Sequence, residues 1–126
     1  MRKTTLKIEP TEITPSFKLD FTTRTMEFRG RSLPCQSQKF YYPIIEKIDW
    51  VLEKGVRTFT ANFAMEYFNT ASSKCLFDIL KKLASYKHSG TNIVINWFYD
   101  RVDDDMREAG EDYENILGVK FNYIPQ

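Results

Sequence analysis

A chain of 126 residues has the length of one domain, enough to bury a core and too few to build two. Its 18 basic and 17 acidic side chains leave a formal charge of +1, so no excess of either sign draws the whole molecule onto nucleic acid or an anionic membrane. A single histidine, His88, excludes a zinc site of ordinary ligand spacing, and two cysteines far apart, Cys35 and Cys75, do not make a disulfide framework.

The opening MRKTTLKIEP carries basic residues without an apolar stretch behind them, and no run of 18 or more apolar residues follows anywhere. The expectation is a soluble cytoplasmic protein with no membrane insertion. The first periodic segments are S-F-K-L-D-F from Ser16 and T-M-E-F-R-G from Thr25, two alternating runs around a short polar connection, which predicts a hairpin. Tyr41, Ile44, Ile45, Ile48, Val51 and Leu52 then recur at helical spacing, with Pro34 at the approach, Pro43 expected in the first turn and Gly55 at the C-terminal stop. From Arg57, Phe59, Ala61, Phe63, Met65 and Tyr67 alternate with more polar residues, a long strand. Leu76, Ile79, Leu80 and Leu83 make the stripe of an amphipathic second helix that ends at Ser89-Gly90.

Ile93, Ile95, Trp97 and Tyr99 predict another strand. Met106, Ala109, Gly110, Tyr113, Ile116 and Leu117 predict a third helix stopped by Gly118, and Val119, Phe121 and Tyr123 a last strand. The order is ββαβαβαβ, a five-stranded mixed sheet. Strands covered on both faces read as continuous apolar runs, whereas all five of these alternate, so the three helices are expected mainly on one face of the sheet. Lys18, Asp20, Glu27, Arg29, Thr60, Asn62, Asn92, Asn96, Lys120 and Asn122 fall to the opposite face. No linker or repeat interrupts residues 1–126, which read as a single α/β domain.

The junction Phe68-Asn69-Thr70-Ala71-Ser72-Ser73-Lys74 sits where the period changes from two to about 3.6, and it carries three hydroxyls. A helix N-terminus leaves backbone N–H groups without partners and holds partial positive charge. Two readings follow from the residues. Asn69 or Thr70 is an N-cap, or one of the hydroxyls accepts a phosphoryl group that the dipole and Lys74 help to stabilise.

This junction resembles the phosphoacceptor region of the SiaC family of bacterial regulatory phosphoproteins. Tyr42-Pro43-Ile44-Ile45 with Asp49-Trp50-Val51, the strand Asn96-Trp97-Phe98-Tyr99-Asp100, and Asp103-Asp104-Asp105-Met106 with Glu108, Gly110 and Glu111 are similar to that family too, so the likeness runs from about Ile13 to the end. It implies a STAS-like two-layer fold. It also implies that Thr70 is phosphorylated by a cognate Ser/Thr protein kinase and cleared by a PPM-type phosphatase. The unmodified form then binds and activates a diguanylate cyclase, a partner switch in cyclic di-GMP signalling of the kind that controls biofilms. Family members often carry Ser where this chain has Ala71, which leaves Ser72 and Ser73 as the neighbouring alternatives to Thr70. Partner contacts are expected from Phe68, Asn69 and Lys74 and from Tyr99, Asp100 and Asp104. No catalytic residue, cofactor or metal is implied.

An anti-sigma factor antagonist would use the same corner against an ATP-binding anti-sigma kinase, and a small enzyme would use Cys35 or the acidic cluster. Asp100, Asp103, Asp104, Asp105, Glu108, Glu111 and Asp112 form that cluster, which lacks the Asp-x-Asp-x-Asp-Gly order of a calcium loop and reads as a solvated helix start or a docking surface. Cys75 is expected to be buried and Cys35 exposed, with His88 too far along the second helix to activate either. Arg24, Arg29 and Arg31 flank the hairpin without a glycine-rich phosphate loop. Phe68, Phe98, Tyr41 and Tyr42 are the aromatic residues expected to face outward.

Overall fold

In the computed structural model, residues 5–126 are described, and the basic start Met1–Thr4 lies outside them. One six-stranded sheet runs β1 (Thr5–Ile8), β2 (Ser16–Asp20), β3 (Thr25–Ser32), β4 (Thr58–Phe68), β5 (Asn92–Tyr99) and β6 (Asn122–Pro125), in that spatial order. The first three strands pair antiparallel and β3 to β6 parallel, so the sheet is mixed. Six strands correct the expected five. The extra one, Thr-Leu-Lys-Ile, is only four residues long and stops before Glu9-Pro10, too short to stand out as alternation.

Helices α1 (Ser37–Leu52), α2 (Thr70–His88) and α3 (Asp104–Leu117) connect β3 to β4, β4 to β5 and β5 to β6. Three right-handed crossovers stepping the same way along a sheet put all three helices on one face. Phe17, Leu19, Met26, Phe28, Phe59, Phe63, Ile93, Ile95 and Trp97 point into that layer and are buried against Ile44, Ile48, Leu76, Leu80 and Leu83. The other face is polar. Its central row crosses all six strands in register as Lys7, Lys18, Glu27, Asn62, Asn96 and Asn122. The Asn96 amide donates to Asn62 Oδ1 at 2.8 Å, and the Asn122 amide donates to Asn96 Oδ1 at 3.0 Å.

Three local features differ from the expectation. Helix α1 begins at Ser37, so Pro43 lies in its second turn, where it removes the N–H that would bond the Lys39 carbonyl. Tyr41, expected to face outward, is fully buried, while its neighbour Tyr42 is 49% exposed. Near its end β4 carries a bulge: Met65 pairs with Gly30 and Tyr67 with Arg31, which leaves Glu66 as an extra residue. One inserted residue swaps the faces of everything after it. Tyr67, expected on the core side, therefore faces out at 48% exposure under the Arg31 guanidinium, 5.9 Å from the ring centre. Phe68 turns inward, edge-on to Trp97 and stacked on Tyr113.

Helix α3 is held by two fits to Trp97. The buried indole Nε1 donates to the Met106 carbonyl at 2.8 Å. Gly110 gives the ring its room, since a Cβ there would sit 2.7 Å from Trp97 Cδ1.

Candidate functional site

The C-terminal end of β4 delivers the chain to α2 through Asn69. This residue has extended backbone (φ −81°, ψ 176°), and its side-chain Oδ1 accepts the Ser72 N–H at 2.8 Å, the geometry of an N-cap. Its own N–H donates to the Ser32 carbonyl at 2.9 Å, which ties the corner to the end of β3. Asn69 is thus the cap, and Thr70 is the first residue of the helix.

The three hydroxyls have different surroundings. Ser72 is fully buried, and its oxygen accepts a hydrogen bond from Ser32 Oγ at 2.7 Å. With the Ser32 proton so used, the Tyr41 phenol donates to Ser32 at 2.6 Å, and the three side chains form a sealed chain linking α2, β3 and α1. Ser73 is half-buried. The Tyr113 phenol gives its one proton to the Ser73 carbonyl at 2.9 Å, so the Ser73 hydroxyl donates to the phenol oxygen at 2.7 Å. Burial pushes the phenols of both Tyr41 and Tyr113 upward, Tyr41 to about 12, and keeps them neutral donors. Thr70 is exposed, and its hydroxyl enters no hydrogen bond among the described residues.

The first turn of α2 holds no acidic side chain, and its last turn holds Lys87 and His88, a distribution that leaves the N-terminal half-charge of the helix uncancelled. Lys74 is exposed one turn beyond Thr70. On one flank a cleft is lined by Glu66, Tyr67, Phe68, Asp103, Asp105 and Met106. Asp103 caps α3 through Oδ1 to the Met106 N–H at 3.0 Å, and exposed Asp104 sits 3.6 Å from Arg107. Tyr99 and Asp100 lie one cavity further on, with Arg29, Phe98 and Val102, and share Glu66 and Asp103 with the first cleft. There the Asp100 carboxylate accepts the Val102 N–H at 3.0 Å, and Val102 stands 86% exposed.

The fold therefore gathers Phe68, Asn69, Thr70, Ser72, Ser73 and Lys74 at one corner, and sets Tyr99 and Asp100 beside it. Sequence reasoning missed Tyr67 and Val102 as exposed apolar groups, and Ser32, Tyr41 and Tyr113 as partners of the serine hydroxyls. Those pairings join residues 40 apart for Ser32–Ser72 and Ser73–Tyr113, and no local pattern records them. Among the described residues no group of three or more His, Cys, Asp or Glu is placed to hold a metal ion. Both cysteines are free, and burial pushes the Cys75 thiol up. No helix among the described residues is long and apolar enough to cross a membrane.

Comparison with known proteins agrees along nearly the whole chain. The sequence profile of the SiaC family regulatory phosphoprotein matches residues 8–126. An uncharacterized protein of Pseudomonas aeruginosa strain UCBPP-PA14 is 28% identical over 116 residues, 92% of each chain. The crystal structure of apo-SiaC from Pseudomonas aeruginosa superposes with a TM-score of 0.89 at 25% identity, over 97% of this chain and 99% of that one. SiaC of the same organism, in a crystal structure of the diguanylate cyclase SiaD with its activator SiaC, gives a TM-score of 0.91 at 26% identity, over 96% and 99%. With its profile matched from residue 8 to the end, the chain belongs to the SiaC family of regulatory phosphoproteins.

Proposed function

We propose that this chain is a cytoplasmic, non-enzymatic partner-switch protein in which Thr70 is the phosphoacceptor. The unmodified form binds and activates a diguanylate cyclase; a cognate Ser/Thr protein kinase adds the phosphoryl group and a PPM-type phosphatase removes it. The observation that carries this reading is the contrast at the corner: Thr70 is exposed and unengaged, whereas Ser72 is sealed in and Ser73 is bonded to Tyr113. Support for the cyclase comes from the structural neighbour, which activates one.

A phosphoryl group on Thr70 adds a charge of about −1.5 to −2 at the first residue of α2. The helix N-terminus tolerates that charge, so the fold is kept, and the cost falls on the docked partner, which meets a bulky, hydrated dianion at its contact. Each 1.4 kcal/mol of that cost weakens binding about tenfold. No chemistry by this chain is needed. The kinase supplies the group, and the chain presents a hydroxyl on a rigid corner.

The test is intact mass and peptide mapping after incubation with the kinase and ATP, for wild type and Thr70→Ala, followed by cyclase binding and cyclic di-GMP synthesis with each form. Wild type is expected to gain one phosphate on Thr70 and lose the cyclase, and the alanine variant to gain none and keep it. Phosphate appearing on Ser72 or Ser73 of the alanine variant would refute the site.

A further inference from the structure

On the side of the corner away from the acidic cleft, a groove of about 380 Å³ runs between the starts of α1 and α2. Gln36, Lys39 and Tyr42 line one wall, and Ala71, Lys74 and Asp78 the other. Lys39 and Lys74 are both exposed, and neither ammonium belongs to any of the four ion pairs among the described residues. Asp78, half-buried, is the single carboxylate in the lining. The first turns of α1 and α2 contain no acidic residue, in contrast to α3, which opens with Asp104 and Asp105. Thr70 thus stands on a charge boundary, with carboxylates on one flank and two unpaired ammonium groups on the other.

We infer that this groove receives an acidic segment of the partner, with carboxylates on Lys39 and Lys74 and an apolar side chain against the half-exposed ring of Tyr42. The inference rests on the partner-switch reading of Thr70 and accounts for its sign. Ala71, in the groove wall, adjoins Thr70, and Lys74 follows one turn later. A phosphoryl group on Thr70 therefore meets Lys74 from within the same chain and repels the carboxylates that the groove otherwise accepts. A basic segment would behave oppositely: it would favour the acidic cleft and bind better after phosphorylation.

Two measurements test this. In the first, cyclase binding is compared for wild type, Lys39→Glu, Lys74→Glu and the control Lys81→Glu, an exposed lysine of α2 outside the groove. Lys39 lies in the first turn of α1, where a carboxylate suits the helix dipole, so loss of fold is not expected from that reversal. Each groove reversal is expected to weaken binding tenfold or more and to flatten its salt dependence, with Lys81→Glu within twofold of wild type. Groove reversals within twofold would overturn the groove and leave the Thr70 switch standing. In the second, an acetylated hexaglutamate peptide at low salt is titrated against 15N-labelled protein. Amide shifts are expected over residues 35–42 and 70–78, and are expected to vanish in Lys39→Glu. Where wild type binds no cyclase, the output assigned above fails and the peptide decides alone: shifts absent or spread elsewhere overturn the groove.

Discussion

Replacing Gly110 with alanine tests how α3, and with it the acidic lip beside Thr70, is fixed to the sheet. The added methyl would lie 2.7 to 2.9 Å from Trp97 Cδ1, Nε1 and Cγ. The indole is fully buried, stacked with Phe121 and tilted against Phe63, so it has no open side to swing into. Overpacking of this kind costs about 1–3 kcal/mol. Any shift of the ring also stretches the bond from Nε1 to the Met106 carbonyl, and a buried donor left without its acceptor costs a further 1–3 kcal/mol or so. Against this, alanine gains about 1 kcal/mol of helix propensity over glycine. The balance is a net loss of roughly 1–5 kcal/mol, against the 5–15 kcal/mol typical of a domain. Urea unfolding followed by circular dichroism and by Trp97 fluorescence, in a Trp50→Phe background, gives both the stability and the environment of the indole. An alanine variant as stable as the parent, with unchanged Trp97 emission, would refute the close-approach argument.

Three further outcomes follow from the same contacts. Asn69→Ala removes the acceptor of the Ser72 N–H and is expected to cost about 1 kcal/mol in chemical denaturation, with faster hydrogen exchange at the first turn of α2. Tyr113→Phe keeps the stacking on Phe68 but frees the Ser73 hydroxyl, so peptide mapping after kinase treatment is expected to find a second phosphate, on Ser73, beside that on Thr70. Tyr41 carries a folded-state value of about 12 against an unfolded value near 10, so the folded chain holds its proton more tightly. The stability this gives is whole below pH 10 and is lost as pH rises through 12, by roughly 3 kcal/mol in all. A urea midpoint that stays flat between pH 10 and 12 would contradict it.

Elements with strong periods were legible from residues alone. The stripe of Leu76, Ile79, Leu80 and Leu83 marked α2, and Gly118 marked the end of α3, where it adopts φ +67°. One-sided burial was legible too, because Lys18, Glu27, Asn62, Asn96 and Asn122 fall on alternate positions of five different strands, and register then lines them up in one row. What stayed hidden depends on distance in sequence. Nothing near Ser72 or Ser73 says that Ser32 or Tyr113 will meet it, so the three hydroxyls of the corner were equivalent until the fold gave two of them partners. Tyr41 fell both in the α1 stripe with Ile44 and Ile48 and, beside Tyr42, among the aromatics expected to face outward. Their sides were decided by the phase of α1, which starts four residues before Tyr41.

The bulge at Glu66 links these hidden features. Had β4 kept strict alternation, Phe68 would point to the polar face of the sheet, and Tyr67 would take the place against Trp97. With the extra residue, Phe68 fills that place and stacks on Tyr113 at a centroid distance of 6.4 Å, which supports the phenol that holds Ser73. Glu66 and Tyr67 are both left exposed and line the acidic cleft. The irregularity therefore acts twice at the corner. It supports from below the phenol that engages the Ser73 hydroxyl, and it shapes the acidic flank beside Thr70. An inserted residue at the end of a strand is a weak spot in the ladder, and this one lies three residues before the cap, where it shapes the corner as well as the core.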